Sequence, residues 1–164
     1  MRRILAVLTL MALLVVALAV PAFARGATQI SGVGFYADKQ TCNDPERVNA
    51  EGEVADYALI LRGDLKGCLY TFIETTKSSP SGTYRETGTE VFVAKKGSST
   101  FATTYRFEAK YEDVANLTGE IFGRCQHPIV EGSGTGIFEG VTGRLDFKDD
   151  IEAVNFPYRG HLRW

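Results

Sequence analysis

Residues 101–112 read Phe101-Ala102-Thr103-Thr104-Tyr105-Arg106-Phe107-Glu108-Ala109-Lys110-Tyr111-Glu112. Phe101, Thr103, Tyr105, Phe107, Ala109 and Tyr111 fall on one parity, and Ala102, Thr104, Arg106, Glu108, Lys110 and Glu112 on the other. A period of two with one aromatic and one charged face is the mark of a half-buried β-strand. The end of the chain repeats the pattern. Phe156, Tyr158, Gly160, Leu162 and Trp164 alternate with Asn155, Pro157, Arg159, His161 and Arg163. Gly143, Leu145 and Phe147 do the same against Arg144, Asp146 and Lys148. Pro157 has no N–H to give a ladder and marks a bulge or an unpaired position.

Further strands are expected over Ile30–Ala37, Tyr57–Arg62, Cys68–Thr75, Thr83–Ala94 and Glu120–Val130. Turn-forming clusters such as Gly63-Asp64, Ser78 to Gly82 and Asn116 to Gly119 separate them. The long exception is the polar stretch from Asp38 to Ala55. No ten-residue amphipathic helix is present to cover a sheet. The expected fold is therefore all-β, an eight-stranded antiparallel up-and-down barrel, since closure removes exposed edges. A two-sheet β-sandwich uses the same alternation and is the alternative.

The first residues have a different character. Met1-Arg2-Arg3 precedes an apolar run of 17 residues from Ile4 to Val20, broken only by Thr9, and Pro21-Ala22-Phe23-Ala24 follows. A basic end, an apolar middle and an A-x-A exit predict a signal peptide over 1–24 and a β-barrel domain over 25–164. The expected location is secreted, periplasmic or otherwise extracytoplasmic, with no membrane attachment after cleavage. The mature part keeps 16 basic against 20 acidic residues, a net charge of −4, which argues against nucleic acid as a partner. The three cysteines, Cys42, Cys68 and Cys125, allow one disulfide with three pairings open. Strand order places the loop of Cys42 and the early half of strand six at one barrel end, so Cys42–Cys125 is the favoured bridge and Cys68 the free thiol. No metal site is expected, because Cys125-x-His127 supplies too few ligands. No cofactor is expected either.

Residues 132–143, Gly-Ser-Gly-Thr-Gly-Ile-Phe-Glu-Gly-Val-Thr-Gly, hold five glycines but lack the spacing of a phosphate-binding loop. Together with the strand after it, this segment resembles the late-strand signature of the allene oxide cyclase family, with a looser echo in dirigent proteins. Gly63-Asp64-Leu65-Lys66 resembles a second short stretch of the plant cyclases. The resemblance implies an eight-stranded barrel with an apolar lumen, often assembled as a homotrimer. In that family, cyclisation of a fatty-acid epoxide relies on a glutamate in the first strand and an asparagine shortly before Gly-Asp-Leu-Lys. Here Ile30 to Tyr36 contains neither residue, and Ala58 stands at the asparagine position. The resemblance thus carries the barrel and not the catalytic residues, and the reading leans away from an enzyme.

The function expected from the residues is binding of a small apolar or lipid-like molecule in the lumen. Tyr105, Phe107, Phe147, Phe156 and Tyr158 would line it, and Trp164 shares their face. Arg124, His127, Arg159 and His161 form a candidate polar rim for a carboxylate head group. By default Glu86, Arg106, Glu108, Arg124, Gln126, Arg159 and His161 are assigned to the solvated outer face. The rival readings are an isomerase or cyclase on the same barrel and a structural envelope protein with no ligand.

Overall fold

The computed structural model describes residues 26–38, 40–42, 49, 52–96 and 98–164. The expected signal peptide lies outside the described residues. Eight strands follow in chain order: β1 (Thr28–Tyr36), β2 (Tyr57–Gly63), β3 (Gly67–Ser78), β4 (Thr83–Ala94), β5 (Thr100–Asp113), β6 (Thr118–Pro128), β7 (Thr142–Lys148) and β8 (Phe156–Arg163). Each pairs antiparallel with its neighbours in sequence, and β8 returns to β1 to close the barrel. Ile30 opposes Gly160 and Gly32 opposes Tyr158 across that seam. Closure leaves no exposed edge, so the up-and-down barrel holds and the sandwich does not.

Alternation decides which side chains enter. Phe101, Thr103, Tyr105 and Ala109 of β5 are buried, while Thr104 and Arg106 are exposed. On the outer face Glu108 accepts from Arg85 at 2.9 Å and from Arg124 at 2.8 Å. The lumen has two unlike halves. At one end Phe92 and Phe101 stack at 5.0 Å, and Phe138 closes on them edge-on at 5.8 and 5.0 Å. Phe138 belongs to a 3-10 turn, Gly136–Phe138, in the middle of the glycine-rich segment. That segment therefore acts as a stopper, which requires tight turns and no phosphate.

Two expectations are corrected here. The disulfide is Cys42–Cys68, with Cα atoms 5.6 Å apart, and Cys125 is a buried free thiol. The strand-order argument kept the Cys42 loop at the rim. Instead Cys42 folds back onto the outer face of β2 and β3, where it packs with Tyr70 and Phe72. Cys68 opposes Ile60 on that outer face, whereas Cys125 opposes Phe107 and Phe147 inside the lumen. Trp164 is 46% exposed and donates from Nε1 to the Ile137 carbonyl at 3.1 Å, at the stoppered end. It belongs to the stopper and not to the ligand cavity.

Candidate functional site

The other half of the barrel holds a cavity of about 410 Å³, within the range usual for small-molecule sites. Its walls are aromatic. Tyr111, Tyr84 and Phe107 meet edge-on at 6.3 and 6.2 Å on one side. Tyr57, Tyr36 and Phe156 do so at 5.8 and 4.9 Å on the other. Leu117, Ile151 and Val154 stand exposed around the mouth. Leu117 and Val154 have φ of 50° and 49°, the two positive-φ non-glycine residues among those described. Non-glycine residues rarely take that conformation, β-branched ones such as Val154 least of all, so the mouth loops carry local strain.

The depth of the cavity is polar. β4 turns Tyr84, Glu86, Glu90 and Phe92 inward, so two carboxylates lie on the lumen face. Glu90 is 1% exposed and accepts three hydrogen bonds: from Thr71 Oγ1 at 3.0 Å, Thr103 Oγ1 at 2.7 Å and His127 Nδ1 at 2.5 Å. Three donors converging on one carboxyl fit an acceptor-only carboxylate, which fixes the imidazole proton on Nδ1. His127 is itself only 4% exposed, held between Tyr105 at 6.0 Å and Phe147 at 4.6 Å. Its Nε2 is buried with no hydrogen-bond partner. An orphaned buried nitrogen costs about 1–3 kcal/mol, so it calls for a reason.

Glu86 accepts from the hydroxyls of Tyr105 at 2.6 Å and Tyr84 at 2.7 Å. Burial, and then the bond to Glu86, push both phenols above their ordinary range, so they stay neutral donors. Tyr105 reaches across β4 because Gly88 has no side chain; a Cβ there would stand 2.7 Å from its ring. Cys125 lines the same cavity, but burial and then the charge of Glu90 raise its thiol far above the usual range. A thiol kept protonated in this way is a poor nucleophile.

Nearer the mouth, Asp149 shares a hydrogen bond with Glu120, both resting over Gly123, where a Cβ would strike Asp149 Oδ2 at 2.1 Å. Burial first, then the bond to Glu120 and its charge, push the Asp149 carboxyl up to about 7. Tyr111 from β5 and Tyr36 from β1 also face this pair. The folded chain therefore keeps a proton that the unfolded chain has released above its carboxylate pKa of ~4. Stability falls as pH rises between those values. Asp149→Asn supplies a permanent donor to Glu120. We expect it to raise stability at pH 8 by about 1–2 kcal/mol, after allowing for solvent screening, and to be near neutral at about pH 4.5. Thermal melts at both values check this; an equal effect at both would mean Asp149 holds no proton.

Of the residues proposed from sequence, Phe107, Phe147 and Phe156 line the cavity, and His127 stands at its floor. Tyr105 and Tyr158 lie behind it, each 1% exposed. Tyr158 accepts from the Leu65 amide at 3.0 Å and serves the packed half. Arg124, Arg159 and His161 fall on the outward parity of β6 and β8, so no polar rim of these four residues exists. Glu86, assigned to the outer face, is buried in the lumen, and Glu90 is a site residue that the sequence did not single out. No protein family, curated protein or solved structure matches this chain. Among the described residues no three His, Cys, Asp or Glu side chains cluster so as to hold a metal ion.

Proposed function

We propose that the protein is an exported barrel that binds a small amphipathic molecule in the open half of its lumen. The observation that carries this reading is the cavity itself, with aromatic walls, a mouth ringed by apolar side chains and His127, whose buried Nε2 has no partner, in its lining. An empty apolar cup gains by excluding water, and one convergent polar group fixes the orientation of what enters. The Cys42–Cys68 bridge supports the exported reading, since disulfides persist in oxidising compartments. The resemblance to the allene oxide cyclase barrels supports a ligand-sized lumen but supplies no catalytic residue.

Titration with a neutral fluorescent apolar probe tests the proposal. Binding should saturate at one site per chain. Phe107→Ala should weaken it roughly tenfold, about the loss of one partly buried ring, while Arg106→Ala on the outer face should leave it unchanged. A folded protein that takes up no probe would point instead to a structural barrel.

A further inference from the structure

Resting on that reading, we infer that the lumen selects an organic cation, an amphipathic primary or secondary amine whose N–H donates to His127 Nε2. Three independent features converge on this class. The first is charge. Glu86, Glu90, Glu120, Asp149 and Asp150 line the cavity, Asp149 and Glu120 with one proton between them, and among the described residues no Lys or Arg does. In a low-dielectric cup the field of these groups favours a positive head and repels a carboxylate. A fatty acid is thus the wrong amphiphile for this lumen.

The second is the unpaired nitrogen. Nδ1–H is committed to Glu90, so in the neutral ring Nε2 offers a lone pair and needs a donor. An ammonium N–H satisfies it and brings its charge close to Glu90. A carboxylate cannot donate, and a quaternary ammonium carries no N–H. The third is the aromatic collar formed by Tyr36, Tyr57 and Phe156 on one side and Tyr84, Phe107 and Tyr111 on the other. Aromatic rings around a cavity stabilise a cation through their quadrupoles, more strongly when water is excluded.

The same electrostatics decide between binding and catalysis. A histidine oriented by a carboxylate has the form of a general base. Abstracting a proton from carbon, however, would build negative charge on the substrate beside Glu86 and Glu90. The tyrosine hydroxyls nearest such an oxyanion, Tyr84 and Tyr105, already donate to Glu86. The pocket is built to hold positive charge, not to develop negative charge.

A matched ten-carbon series tests the inference on the mature chain: decylamine, decanol, decanoate and decyltrimethylammonium, each displacing the neutral probe at neutral pH. Decylamine should bind at least ~10-fold tighter than decanol, decyltrimethylammonium between them, and decanoate weakest. Glu86→Gln, nearly isosteric, should reduce the amine's advantage over decanol several-fold. Asp149→Asn, at the mouth, should do the same to a lesser degree. If decanol or decanoate binds as tightly as decylamine, the cation inference is wrong and lumen binding stands. If the probe binds in the lumen but none of the four displaces it, the inference also fails. If neither the probe nor any of the four binds a folded protein, lumen binding itself is wrong.

Discussion

His127→Phe should cost about 3–5 kcal/mol of folding stability, because it leaves the Glu90 carboxylate buried with only two hydroxyl donors. Glu90→Leu should cost a similar amount by stranding His127 Nδ1 together with the hydroxyls of Thr71 and Thr103. The pair removed together behaves differently. Glu90→Leu/His127→Phe replaces a buried carboxylate–imidazole hydrogen bond by apolar volume in a site walled by Tyr105 and Phe147. The double variant should lie within about 2 kcal/mol of the parent, most of that from the two threonines, so the coupling is large. Chemical denaturation of the four proteins measures it. Against a total stability of about 5–15 kcal/mol, each single loss is easily seen.

The outcome also separates two reasons for having such a pair. A buried polar pair is seldom the most stable way to fill a core, and here the imidazole Nε2 has no partner at all. Stability sacrificed at one spot is expected where a ligand supplies the missing contact. The double variant should accordingly fold well and lose the preference for amines. If instead the two single losses simply add, Glu90 and His127 serve packing independently, and the polar floor is no recognition site.

Much of the barrel could be read from the sequence because closure imposes one rule on every strand, and β5 and β8 state that rule with aromatic residues. β4 obeys it in a way that misleads. Tyr84, Glu86, Gly88, Glu90 and Phe92 share one parity, and the ordinary habit of placing glutamates in water sends the middle of that set outside. The signal was present at the two ends, since Tyr84 and Phe92 are aromatic and fix the face. The hairpin register also sets Glu90 opposite Thr103 and Glu86 opposite Phe107, on the inward face of β5. His127 showed as a rim residue for a carboxylate head group, not as the partner of a buried glutamate. Its meaning depends on Glu90, 37 residues away, and no local pattern links the two. The arginines failed as rim residues for the converse reason: parity puts Arg124 and Arg159 outside whatever head group they would suit.

Removing the Cys42–Cys68 bridge, by reduction or as Cys42→Ser/Cys68→Ser, should lower stability by about 3–4 kcal/mol on chain-entropy grounds, given the 26-residue separation it spans. The loss should appear without any loss of lumen binding, because the bridge lies on the outer face of β2 and β3, with Tyr70 and Phe72 beneath Cys42. Cys125 gives the internal control. Its thiol is buried, and both desolvation and Glu90 keep it protonated, so native protein should resist alkylation there until unfolded. Peptide mapping without reduction should recover Cys42 joined to Cys68. A cystine containing Cys125 would mean that a strand with its cysteine facing Phe107 and Phe147 had turned inside out, which the one-residue parity of β6 does not permit.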